Sequence, residues 1–94
     1  HRRVSWANNL IGRALLDKGD ANGAATVLLA NYRSNPGGDR AADSLYYLGQ
    51  ALMKLGQPGQ ACRVYAEFDA VYGAKARPDL KKLENDGKAQ AQCA

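Results

Sequence analysis

The stretch Asn-Leu-Ile-Gly-Arg-Ala-Leu-Leu (residues 9–16) is matched by Tyr-Tyr-Leu-Gly-Gln-Ala-Leu-Met (residues 46–53), and that match decides the fold. Carried outward at the same offset of 37 residues, Gly12 falls on Gly49, Leu15 on Leu52, Gly19 on Gly56, Ala24 on Ala61 and Leu28 on Tyr65. A repeat of this size is one supersecondary unit that cannot bury its own apolar face and must stack on a neighbour. Chains built this way offer a surface to a partner. The expected class is therefore a binding module, not an enzyme.

Around these anchors the hydrophobic spacing is helical and never alternates at period two. Trp6, Leu10, Ile11 and Leu15 mark a first helix, broken at Asp17-Lys18-Gly19-Asp20. Ala24, Val27, Leu28 and Tyr32 mark a second, which stops at Asn35-Pro36-Gly37-Gly38. Asp39 suits the N-cap of a third helix, whose buried stripe reads Leu45, Leu48, Leu52 and Leu55. Gly56 ends it, and Pro58 opens a fourth that carries Ala61, Val64, Tyr65, Phe68 and Val71. Pro78 opens a fifth with Leu80 and Leu83, where Gly87 weakens the helix by about 1 kcal/mol relative to alanine and favours fraying at its end. The expectation is an all-α domain over residues 1–94.

The glycines divide into two roles. Gly19 and Gly56 end the first helix of each pair and should supply a positive φ. Gly12 and Gly49 lie inside helices, where glycine is unfavourable, so a second helix backbone is expected to approach there, with Ala24 and Ala61 as the other half of the contact.

Composition bounds the rest. The chain has 94 residues, 46% apolar and 23% charged, within the range of ordinary globular domains. No apolar run approaches the roughly 20 residues of a membrane-spanning helix, so no membrane insertion is expected. It starts at His1 without a methionine or leader, and so reads as a mature fragment or an excised domain. The net charge of +4 raises the question of nucleic acid. The basic residues are scattered among acids, and even the Lys75–Lys82 stretch lacks an RNA-binding signature, so an acidic protein surface suits the charge better.

Catalysis and metal binding find little material. The lone histidine is His1, so neither a Ser-His nor a Cys-His arrangement can be built, and no His or Cys pair has ligand spacing. No cofactor is expected. The carboxylates Asp17, Asp20, Asp43, Glu67, Asp69 and Glu84 mostly fall on polar helix faces or turns. Cys62 and Cys93 come within roughly 8 Å of the same height on neighbouring antiparallel helices, given about 1.5 Å of rise per residue. They either form a disulfide, which suits an oxidising compartment, or remain one core thiol and one tail thiol. Trp6 either seals the first hairpin or lies open for an upstream helix.

The pattern resembles the tetratricopeptide repeat. Its aromatic, Leu-Gly, Gly, Ala, bulky and Pro positions are met by Trp6, Ile11, Gly12, Leu15, Gly19, Ala24, Leu28 and Pro36. The second copy supplies Leu45, Leu48, Gly49, Leu52, Gly56, Ala61, Tyr65 and Phe68, with Gly73 where the closing proline belongs. The resemblance implies a right-handed superhelix of two helix-turn-helix repeats (about 5–38 and 39–74) and a capping helix (about 78–92). The longer loop at Pro36–Asp39, with Ala42-Asp43-Ser44-Leu45-Tyr46-Tyr47-Leu48-Gly49 and Ala61-Cys62, is similar to the C-terminal domain of the Tol–Pal accessory family of Gram-negative bacteria (the YbgF or CpoB type).

That likeness implies a periplasmic protein that trimerises through an upstream coiled coil. It also implies binding to TolA and coordination of the peptidoglycan synthase machinery with outer-membrane constriction. The present segment would be a monomer or a weak dimer. In the repeat family the first helix of each pair lines a concave groove, here Asn9, Arg13, Leu16 and Asp17, then Tyr46, Gln50, Met53 and Lys54. Asn9 and Arg13 form an i, i+4 pair suited to a carboxylate or peptide carbonyls, and Tyr46 and Met53 offer adaptable apolar contact. Alternatively, these positions are simply solvated. The alternative roles are a structural part of another envelope or secretion complex, or a generic adaptor repeat.

Overall fold

The computed structural model describes residues 2–34, 37 and 40–93, and for residues 2–6 the backbone alone. Trp6's side chain, Pro36 and Asp39, all singled out above, lie outside the described residues. Five α-helices run in order: α1 (Arg2–Asp17), α2 (Ala21–Ser34), α3 (Ala41–Lys54), α4 (Pro58–Tyr72) and α5 (Pro78–Gln90). α1 with α2 and α3 with α4 form two helical hairpins, α2 packs broadly on α3, and α5 leans more sparsely on α3 and α4.

The hairpin turns are built alike. Gly19 (φ +88°) and Gly56 (φ +73°) take the left-handed conformation expected of them. In the first turn Gly19 N–H donates to the Leu16 carbonyl (3.0 Å) and Asp20 N–H to that of Leu15 (2.8 Å). In the second, Gly56 and Gln57 repeat these bonds to Met53 (3.1 Å) and Leu52 (2.9 Å). Both are Schellman ends, which satisfy carbonyls the helix itself leaves open. α5 ends the same way on Gln92 (φ +57°), with Gln92 and Cys93 N–H groups donating to Ala89 and Lys88.

The start of each second helix differs. Asp20 caps α2 by accepting from Gly23 N–H (2.9 Å), whereas Gln57 makes no side-chain cap and Pro58 stands at the first position of α4. Before α3 the flanking residue is Arg40, again without a side-chain cap.

The two interior glycines make room for a side chain, not for a backbone. A methyl on Gly12 would lie 2.5 Å from the Leu28 isobutyl group, and one on Gly49 would run into the Tyr65 ring. Leu28 and Tyr65, themselves 37 residues apart in sequence, are fully buried in those notches. The expected contact with Ala24 and Ala61 is thus replaced by the residue one turn further on. Around the notches, Leu16, Leu45, Leu48, Leu52, Phe68 and Leu80 complete one continuous core.

Two expected stripes are rotated. On α1, Leu10 and Ile11 are exposed, and the inward residues are Asn9, Gly12 and Leu16. On α5, Leu83 is exposed while Leu80, Glu84 and Gly87 face inward. Gly87 does not fray the helix: it lets α5 approach the Tyr65 hydroxyl and the Gln50 amide. Among the described residues, no helix is long and apolar enough to cross a membrane.

Candidate functional site

The face assembled from the first helices of the two hairpins is only partly open. Asn9 and Leu16 are buried, so neither stands on an accessible groove wall. Asn9 turns away from Arg13 and donates through Nδ2 to Ser44 Oγ (3.2 Å), which also accepts from Asn31 Nδ2 (3.0 Å). A buried amide needs a polar partner, and that of the Asn9 Nδ2 group lies on α3, which leaves the half-buried Arg13 as the accessible member of the i, i+4 pair. Tyr46 is likewise buried. Its hydroxyl is pushed to higher pKa by burial first, then by Tyr47 and by Asp86 of α5.

What remains accessible is a smaller set. The Arg13 guanidinium sits 4.7 Å from the centroid of the Tyr47 ring, which packs edge-on against Tyr46 at 4.8 Å. Arg13 thereby bridges α1 to α3, by a contact worth about 0.5–1 kcal/mol at such half-exposed sites. Asp17 and Lys54 are exposed at the ends of α1 and α3, and Met53 is half-buried against the core. Gln50 is half-buried and committed, donating from Nε2 to Tyr65 Oη at 2.8 Å. The chemistry this face presents is a cation, an aromatic edge and a thioether.

Sequence reasoning overlooked the inward polar groups. Ser44 and Asn31 join three helices, and their signal was legible: Asn31 continues the Ala24, Leu28 stripe, as Ser44 continues that of Leu48 and Ala51. Asp43, assigned above to the polar surface, is buried and held by Arg77 (3.1 Å) and Arg40 (3.4 Å). That clasp ties the loop before α5 to the first turn of α3, and the Asp43 carboxylate holds the Arg77 guanidinium above its ordinary range.

Glu84, also expected at the surface, is fully buried between helices, and neither carboxyl oxygen has a hydrogen-bond partner. Burial and then the adjacent Asp69 push its carboxyl up to about 7, while Lys88 pulls the other way. Cys62 and Cys93 are joined as a disulfide, with Cα atoms 5.5 Å apart, fastening the end of α5 to α4. On the other side of α3, α2 and α4 flank a cleft of about 330 Å³ lined by Ala25, Leu29, Leu48, Leu52 and Val64. Among the described residues, no group of three His, Cys, Asp or Glu side chains is placed to hold a metal ion.

Comparison with known proteins finds no matching family model, no matching curated protein and no matching solved structure.

Proposed function

We propose that the chain is a tetratricopeptide-repeat interaction module that acts without catalysis, in the periplasm, as part of the Tol–Pal machinery that coordinates envelope constriction with peptidoglycan synthesis. The observation that carries the repeat reading is the coincidence of two structural features with the sequence offset. Each hairpin has a glycine notch filled from the facing helix (Gly12 by Leu28, Gly49 by Tyr65) and a Schellman turn at the matching glycine. Two such units and α5 would wind as a short right-handed superhelix. The Cys62–Cys93 bridge supports an oxidising compartment. The partner would be a TolA-like segment, received by Arg13, Tyr47, Met53 and Lys54.

Calorimetric titration with the periplasmic part of TolA tests this, comparing wild type with Arg13→Ala and Lys54→Glu. Lys54 is exposed, and Arg13→Ala gives up only the contact with the Tyr47 ring, so unfolding curves of both variants separate lost recognition from lost packing. Saturable binding weakened five- to tenfold by either is the expected result. Absence of binding at high micromolar concentration removes the Tol–Pal assignment.

A second reading, that of a structural assembly part, is favoured by one observation. Ala7, Leu10, Ile11 and Ala14 form an exposed apolar stripe along α1. At the repeat offset these positions become Ser44, Tyr47, Leu48 and Ala51 on α3, three of which are buried. A further helix of the α2 type would suit that stripe.

A further inference from the structure

We infer that α5 is a conformational latch: the Cys62–Cys93 bridge tethers it to the hairpin, and ionisation of the buried Glu84 loosens it. Three independent observations carry the inference.

The first is the packing. Leu80 and Ala91 are the only buried apolar side chains of the α5 segment, with Gly87 between them, and its packing on α4 is the sparsest between any contacting helices. An element with so little apolar burial belongs to the low-stability end of a structure.

The second is the charge arrangement around Glu84. From α4 it is faced by Asp69 and Tyr65, and from α5 by Lys88 and Lys81. α3 turns Gln50 and Tyr46 toward α5, neither of them a charge. Lys88 is drawn to Asp69 (2.7 Å) and stands further from Glu84 (3.7 Å). Lys88 thus pairs first with Asp69, Lys81 donates to the Gly73 carbonyl (3.0 Å), and neither hydrogen-bonds Glu84. Ionised, Glu84 is a buried carboxylate beside the like charge of Asp69 and without a hydrogen bond, which is costly; protonation removes that cost.

The third is the tether. α5 is held at its start by the Arg77–Asp43 pair and at its end by the disulfide. Opening therefore disengages the middle of the helix without releasing it, and reduction removes the stronger of the two anchors.

The sign follows from linkage. Glu84 is raised in the folded state from its ordinary 4.5 to about 7. The folded state then binds more protons than the open one between those values, so docking is firmest in acid and weakens as pH rises to about 7, then levels. That opening would uncover Gln50 to a partner rests on the function proposed above; the latch itself does not.

Amide exchange of the oxidised protein, corrected for intrinsic rates, tests the latch directly, with residues 41–54 as the internal reference. Protection of residues 78–93 should fall by up to about tenfold per pH unit between the two values and then plateau. In Glu84→Gln it should stay high and flat. Reduction at pH 8 should strip protection from α5 while α2 and α3 keep theirs. An unchanged slope in Glu84→Gln, or loss in α3 parallel to that in α5, overturns the proposal. If Glu84→Gln does not fold, Asp69→Asn replaces it: removing the like charge must move the wild-type midpoint to lower pH, and an unmoved midpoint is equally fatal.

Discussion

The two hairpins share a backbone plan and differ in how they are filled. In the first, the notch at Gly12 receives the flexible end of Leu28; in the second, the notch at Gly49 receives the ring of Tyr65, whose hydroxyl is further tied to Gln50. The first hairpin has an apolar stripe open to solvent along α1, whereas the second is flanked by α2 on one side and by the bridged α5 on the other. The repeat thus fixes where space must be left, and the individual residue decides how rigidly it is occupied.

The largest expected effect comes from filling the notches. Alanine in place of either glycine returns about 1 kcal/mol of helix propensity, against an overpacking cost of typically 1–3 kcal/mol. At Gly49 a methyl would lie 2.6 Å from Cζ of a ring that cannot turn aside without breaking its hydrogen bond. Gly49→Ala should therefore lose about 2 kcal/mol net in urea unfolding. Gly12→Ala meets an isobutyl group with rotamer freedom and should lose about 1 kcal/mol or less. Equal losses would mean that the two notches are equivalent after all. Adding Tyr65→Leu to Gly49→Ala should bring the second hairpin close to the behaviour of the first.

A somewhat smaller effect is expected where the hairpins meet. Ser44 Oγ accepts from Asn9 and Asn31, and all three residues are buried. Ser44→Ala removes that acceptor from two buried amides. A buried donor that loses its acceptor costs about 1–3 kcal/mol, reduced by whatever other partner, water or rearrangement reaches it, so a net loss of about 1.5 kcal/mol is expected. The loss should largely vanish in the background of Asn9→Leu with Asn31→Leu, measured by the same unfolding curves. Persistence of the full loss there would show that the hydroxyl acts through other partners.

How far the sequence carried can be judged from these same residues. The offset, the turn glycines and the placement of Cys62 beside Cys93 were legible because each depends on backbone geometry and on sequence spacing. The candidate face was less so. On α1, Leu10, Ile11, Leu15 and Leu16 spread apolar character over more than one side, so spacing alone could not say which side turns inward. Burial of Asn9, Asp43 and Glu84 was hidden for the opposite reason. A polar residue looks solvated until its partners, which come from other helices, are in place. Tyr47, read only as part of a family-like stretch, proved the more accessible of the tyrosine pair because Tyr46 turns toward α5.

The smallest effect offers the sharpest comparison, because it exchanges a single feature between the hairpins. Asp20 and Gln57 occupy the same place in the repeat, each contributing a Schellman bond before the second helix begins. Only Asp20 also caps that helix, through Gly23 N–H. Asp20→Ala should lose about 1 kcal/mol, as loss of an N-cap commonly does. Gln57→Asp should gain about 0.5–1 kcal/mol, since the carboxylate would reach the open N–H groups of the first turn of α4 and favour the positive end of its dipole. Pro58 does not oppose this, because the N–H it lacks is one of those a helix start leaves unpaired anyway. Thermal unfolding of the two variants and their combination decides the matter: changes that nearly cancel in the double variant show that the cap is portable between hairpins. A Gln57→Asp protein no more stable than wild type would show instead that the proline sets the entry to α4 so firmly that the second hairpin has no use for a cap.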